Sequence, residues 1–175
     1  MKLGEIDLVH IRKAVISDAE GISKVHVDSW RTTYKNILSS EFLSSLSYKR
    51  REIWWKEAVF NETNFLFVAE NENGQIIGFV NGGKERSGSY GEYKGEVYAF
   101  YLLEEEQGKG VGSLLIKAAI DQLKLLHLNS MLIWVLEKNP SRYFYERHGG
   151  HIVDRQEVEI GGVKLHEIAY GWKNI

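Results

Sequence analysis

Cysteine is absent from the 175 residues. That removes disulfides, thiolate metal sites and a cysteine nucleophile from consideration, and it fits a reducing, cytoplasmic setting. Proline occurs once, at Pro140, so no proline-rich linker divides the chain. No apolar run approaches the ~18 residues of a membrane span, which leaves no expected membrane partner. The opening Met1-Lys2-Leu3-Gly4-Glu5-Ile6-Asp7 lacks the apolar core of a secretory signal. An excess of charge is missing as well: 22 basic against 24 acidic residues leave a net charge of −2, which makes no electrostatic case for nucleic acid. What is present, 43% hydrophobic and 26% charged residues, is the balance of an ordinary globular protein, and the length suits one domain over 1–175.

The stretch that organises the chain is Gln107-Gly108-Lys109-Gly110-Val111-Gly112, followed by Ser113-Leu114-Leu115-Ile116. It stands between an apolar strand-like run and an amphipathic helix. Glycine lets backbone bend tightly and approach a ligand. The first N–H groups of a helix lack intrahelical partners, and the helix dipole adds partial positive charge there. Together these suit a phosphate. The spacing matches neither a Walker A loop, which ends in Gly-Lys-Ser/Thr, nor the Gly-x-Gly-x-x-Gly of dinucleotide-binding folds. A plain glycine turn capping a helix is the bland alternative.

In chain order, Val9–Lys13 alternates like a strand. Ser17-Asp18-Ala19-Glu20 reads as a capping box, with Ser17 as cap and Glu20 reaching back. The helix after it carries Trp30-Arg31-Thr32-Thr33-Tyr34 at its end. Ser47 opens a second helix that runs to about Phe60. Asn64–Ala69 is a buried strand, and Asn73-Gly74 turns it back into Gln75–Val80. The polar, glycine-rich stretch from Asn81 to Gly95 reads as a mobile loop. Glu96–Leu103 leads into the glycine loop, and a helix follows it. Met131–Leu136 is a continuous apolar run, as in the middle of a sheet. Asn139-Pro140 looks like an N-cap followed by proline at the first helical position, opening a short helix from Ser141 to His148. Two strands, Ile152–Ile160 and Val163–Trp172, meet at Gly161-Gly162. The order β-α-α-β-β-β-α-β-α-β-β predicts an α/β (α+β) fold, a mixed sheet of about seven strands with four helices. His148 and His151 lack an identifiable third ligand, so no metal site is expected.

Two motifs and this element order resemble the Gcn5-related N-acetyltransferase (GNAT) superfamily. Gln107-Gly-Lys-Gly-Val-Gly112 is similar to its Gln/Arg-x-x-Gly-x-Gly/Ala loop. Asn139-Pro-Ser-Arg-Tyr-Phe-Tyr-Glu-Arg-His-Gly149 is similar to its Asn…Phe-Tyr-Glu-x-x-Gly segment. The Trp30–Tyr34 segment resembles that of bacterial members. Three departures stand out: Glu104, where many relatives have proline; Gly150, where many have phenylalanine; and an interval from Asn139 to Tyr145 one residue shorter than in some branches. The carboxylates of Glu104, Glu105 and Glu106 are expected in solvent, away from the phosphate.

The resemblance implies acetyl-CoA as donor, a primary amine of a small molecule or peptide as acceptor, and direct transfer in a ternary complex. Backbone N–H groups from Gln107 through Gly108, Lys109, Gly110, Val111 and Gly112, with Ser113 beside them, would hold the pyrophosphate. The backbones of Leu102 and Leu103 would pair with the pantetheine amides, and one of their N–H groups would hold the thioester oxygen. Asn139 would touch the pantetheine arm. Tyr145 would protonate the leaving sulfur, and Glu96 would take the proton of the amine. Trp30 and Tyr34 are the expected acceptor contacts. The aromatic content permits a homodimer. The competing reading is a non-catalytic acyl-CoA-binding module of the same fold.

Overall fold

Seven strands, β1 (His10–Lys13), β2 (Phe65–Glu70), β3 (Ile76–Lys84), β4 (Gly95–Leu102), β5 (Met131–Leu136), β6 (His151–Ile160) and β7 (Val163–Trp172), pair into one sheet in the order β1-β2-β3-β4-β5-β7-β6. The computed structural model describes residues 8–175, so the segment read above for a secretory signal lies outside the described residues. Among the described residues there are five α-helices: α1 (Ala19–Thr33), α2 (Ser40–Ser45), α3 (Tyr48–Val59), α4 (Val111–Leu125) and α5 (Arg142–Arg147). None is long and apolar enough to cross a membrane. The element order is the expected one with one helix added. That helix, α2, has only six residues, too few for a periodic signal, and is capped by Ser39, which accepts from Phe42 N–H at 3.1 Å. Arg31 fastens its far end by donating to the carbonyls of Leu43 and Leu46 at 3.2 and 3.0 Å.

Three local readings need correction. Ser17 does not cap α1. The chain enters through a 3-10 turn, Ile16–Asp18, where the Asp18 carboxylate accepts from Val15 N–H and pairs with Arg12 at 2.7 Å. The charge-assisted bonds to Arg12 outcompete a hydroxyl cap. Asn81–Gly95 is not one loop, because β3 continues to Lys84. The glycine at 82 serves packing: a Cβ there would lie 2.5 Å from the Glu96 carbonyl and 2.6 Å from the Phe65 ring. Helix α5 starts at Arg142 with Ser141 as its N-cap, so Pro140 precedes the helix.

The sheet opens between β4 and β5. These strands are parallel and pair only at Gly95↔Met131, Glu96↔Leu132 and Val97↔Ile133. Beyond that point β4 stays with β3, and β5 stays with β7 along Met131–Leu136. The separation begins at a bulge. Asn81 faces Ala99 while Gly82 faces Val97, so Tyr98 is an extra residue on β4. An extra residue bends and twists its strand, here away from β5.

Helix α1 packs on this sheet through His26, which is 7% exposed, stacks on the Tyr101 ring at 4.8 Å and accepts at Nδ1 from Trp55 Nε1–H at 3.2 Å. Burial, with a smaller push from Arg51, lowers its pKa from 6.5 to about 3. The unfolded chain therefore takes a proton below pH ~6.5 that the folded protein refuses. Stability from this residue is full above that pH and falls as the pH drops towards about 3. By about pH 5 the loss should reach ~2 kcal/mol. Urea denaturation midpoints near pH 7 and near pH 5 measure it. His26→Phe, which cannot titrate, should narrow the difference between them.

Candidate active site

Two cavities meet where the strands part. One, of about 530 Å³, lies between the glycine loop, the end of β4 and α5. The other, of about 540 Å³, lies on the side of Trp30, Tyr34, Glu96 and Trp134. Phe100, Tyr101, Asn139 and Tyr145 line both. A group entering from one side can thus meet a group entering from the other.

The glycine loop forms the outer end of the first cavity. Gly108 and Gly110 have φ of +75° and +88°, in the left-handed region, and Gly110 is the N-cap of α4. A Cβ at either would meet nothing within 4 Å, so both face open space. Ser113 and Leu114 N–H donate back to the Gly110 carbonyl. Gln107 N–H is spent on the Glu104 carbonyl at 3.2 Å, so it does not belong to the run of available donors, which begins at Gly108. The Gln107 side chain instead reaches back to the Leu102 carbonyl at 3.3 Å. Lys109 pairs with Glu106 at 3.0 Å. Glu105 points to solvent as expected, but Glu104 contributes to the cavity wall.

Antiparallel ladders alternate residues that bond to the neighbouring strand with residues that do not. Leu103 N–H donates to the Ile77 carbonyl at 3.0 Å, and the Leu103 carbonyl accepts from Glu106 N–H. Both backbone groups of Leu103 are therefore used within the fold, and Leu103 cannot pair with a ligand or hold an oxyanion. By alternation from Leu103, Leu102 and Phe100 turn their backbone groups to the open side, towards the cleft. Of the two residues only Leu102 turns its N–H to the cleft, and its carbonyl accepts from Gln107 Nε2 and from the Ser29 hydroxyl at 3.4 Å.

Helix α5 closes the first cavity with Phe144, Arg147 and His148. His148 Nδ1 donates to the Phe144 carbonyl at 2.8 Å, and its Nε2 shares a hydrogen bond with the Ser113 hydroxyl at 3.2 Å. This joins the start of α4 to α5. His151 bonds instead to the Tyr93 hydroxyl. Among the described residues no three His, Asp or Glu side chains gather as a metal site. Sequence reasoning missed Arg147 and His148 as cavity residues, because only the packing of α5 on α4 brings them beside the glycine loop. Gly150 also finds its reason here. A Cβ there would be 2.6 Å from the Trp172 ring, which takes the space a phenylalanine would need and donates Nε1–H to the His148 carbonyl.

Tyr145 stands at the junction, 4% exposed, packed against Phe100, Tyr170 and Trp172. Its hydroxyl has no hydrogen-bond partner among the described residues. Burial, with Tyr101 and Tyr34 adding to it, pushes the phenol well above its ordinary pKa of 10.0, so it holds its proton. Tyr34 accepts from Asn139 Nδ2–H at 3.0 Å, and Tyr101 accepts from Trp30 Nε1–H at 3.0 Å. Asn139 also accepts at Oδ1 from Ser141 N–H at 2.9 Å. It lines the cleft, but its side chain mainly opens α5 and holds Tyr34 in place.

Glu96 lies on the floor of the second cavity, 3% exposed. Its Oε1 accepts from Arg86 Nη2 at 2.5 Å, and its Oε2 accepts from Arg86 N–H and Nε. Arg86 was not foreseen, and it covers both oxygens.

Residues 27–150 match the family model described as "Acetyltransferase (GNAT) family". The chain is 42% identical over 168 residues, 96% of it and 95% of the relative, to the uncharacterized N-acetyltransferase YuaI of Bacillus subtilis (strain 168). It is 27% identical over 167 residues to the spermidine N(1)-acetyltransferase of Thermoplasma acidophilum, covering 91% of this chain and 98% of that one. Among solved structures, the PaiA N-acetyltransferase of Thermoplasma acidophilum in complex with coenzyme A superposes with a TM-score of 0.73 at 22% identity, covering 91% of this chain and 98% of that one.

Proposed function

Because this chain belongs to the acetyltransferase (GNAT) family, we propose that it moves an acetyl group from acetyl-CoA to a primary amine by direct transfer in a ternary complex. The observation that carries this reading is the pair of cavities meeting at Tyr145. The residues present fit the donor. Gly108 and Gly110 face open space where the loop's backbone N–H groups can meet a pyrophosphate, with Arg147 on the same wall. The Leu102 N–H, on the open side of β4, offers a donor to an amide carbonyl.

The amine enters from the second cavity and attacks the thioester carbon. The N–C bond forms, the C–S bond breaks, the amine loses a proton and the sulfur gains one. Tyr145, held protonated by burial, gives the proton to the sulfur. The backbone N–H of Phe100, on the open side of β4, holds the carbonyl oxygen as charge develops; that of Leu102, ~7 Å further along the strand, is too far away to share it. The proton of the amine passes to Glu96 when Arg86 gives up one of its oxygens.

Thiol release from acetyl-CoA in the presence of a library of amines tests the reading. Release with at least one amine, with the N-acetyl product found by mass spectrometry, is the expected result. CoA binding without release by any amine would favour the non-catalytic module. Glu96→Gln should slow the reaction most at low pH and recover as the pH nears the amine's own pKa of about 10.4. A pH profile that overlays the wild type would take Glu96 out of the proton path.

A further inference from the structure

The second cavity does not end at the catalytic junction. A further chamber of about 370 Å³ adjoins it, and the two share Arg86, Tyr98 and Ala99. The Arg86 guanidinium lies 4.2 Å over the Tyr98 ring and forms a saddle between them. β4 rises ~3.3 Å per residue, so the saddle at Tyr98 is ~7 Å along the strand from Phe100, and the further chamber begins beyond it.

Charge and aromatic surface along this path have one sign of preference. Glu85, Glu96 and Glu167 line the first chamber and Glu57 the second. Arg86 is the one cation lining either among the described residues, and Glu96 neutralises it. Glu57 has no ion-pair partner among the described residues. Trp54, in the same chamber, leaves 49% of its surface in water. An exposed indole beside an unpaired carboxylate is what an ammonium ion binds. The saddle offers nothing comparable to an acceptor's carboxylate, because Glu96 already holds Arg86.

We propose that the acceptor site crosses this saddle, and that the acceptor is a long, flexible diamine or polyamine whose far ammonium rests between the Trp54 ring and the Glu57 carboxylate. The inference rests on the acetyl-transfer reading. At neutral pH the far amine is charged, since its pKa is about 10.4.

Octylamine and octane-α,ω-diamine, which carries a second, charged amine at its far end, make the test. The diamine should have a KM roughly five- to tenfold below that of octylamine, with similar kcat. Glu57→Gln and Trp54→Ala should each erase most of that difference and leave propylamine kinetics unchanged. Equal KM values in the wild type would overturn the proposal. So would a diamine advantage that survives in both variants, since the charge would then be read elsewhere. Should the protein bind acetyl-CoA but acetylate no amine, the transfer reading fails by itself. Calorimetry of the diamine against the protein–CoA complex then decides the site: Glu57-dependent binding supports it, and no binding overturns it.

Discussion

Tyr145→Phe is expected to lower kcat by roughly 10²–10⁴-fold while leaving the Kd for acetyl-CoA nearly unchanged. The substitution keeps the ring, and with it the packing on Phe100, Tyr170 and Trp172. It removes only a hydroxyl that has no hydrogen-bond partner among the described residues, so no described group is orphaned. A proton given to the sulfur helps only as the C–S bond breaks, which places the whole effect in the transition state. The penalty should also depend on the leaving group. A thiol near pKa 8.5 gains from a proton donor, and a donor ester with a more acidic thiol gains less. Single-turnover measurements isolate the chemical step. A variant within about twofold of wild type in that step would show that the thiolate leaves unaided.

Gly110→Asp is expected to weaken CoA binding by about 10²-fold. The position has φ of +88°, and a Cβ there points into open space. The carboxylate would therefore stand where the pyrophosphate is expected, with no protein atom to hold it aside. Losing hydrogen bonds to a charged group costs ~1.5–3 kcal/mol, and every ~1.4 kcal/mol is tenfold in affinity. Gly110→Ala separates the causes. It carries the same left-handed strain, ~1–2 kcal/mol, without the charge, and should keep most of the affinity. Calorimetry with CoA reads both. Unchanged affinity in a folded Gly110→Asp protein would remove the glycine loop from the phosphate site.

The elements most legible in the chain were those whose signal is local. Continuous or alternating apolar runs marked the strands. Gly161-Gly162 marked the last hairpin, where φ is +57° and +78°. Ser47 marked the start of α3, where it accepts from Arg50 N–H. The two motifs, at 107–112 and 139–149, marked two walls of the first cavity, because a tight turn at a helix start needs backbone freedom and that freedom is written in glycine.

What the chain could not show was which backbone and side-chain groups remain free after folding. Leu102 and Leu103 look alike in sequence, yet one faces the cleft and the other bonds to Ile77, because a ladder alternates and its phase is set by the partner strand. Glu96 was legible as a strand-end carboxylate, but its cover, Arg86, comes from the turn before the same strand and depends on where β3 ends. The opening between β4 and β5 follows from one extra residue at Tyr98, and a bulge exists only between paired strands. By itself the sequence determined the family and, apart from α2, the element order, since each is carried by residues close together in the chain. Tertiary structure alone decided the meeting of two cavities at Tyr145 and the saddle at Arg86, since these are contacts between residues far apart in sequence, and packing settles which of them form.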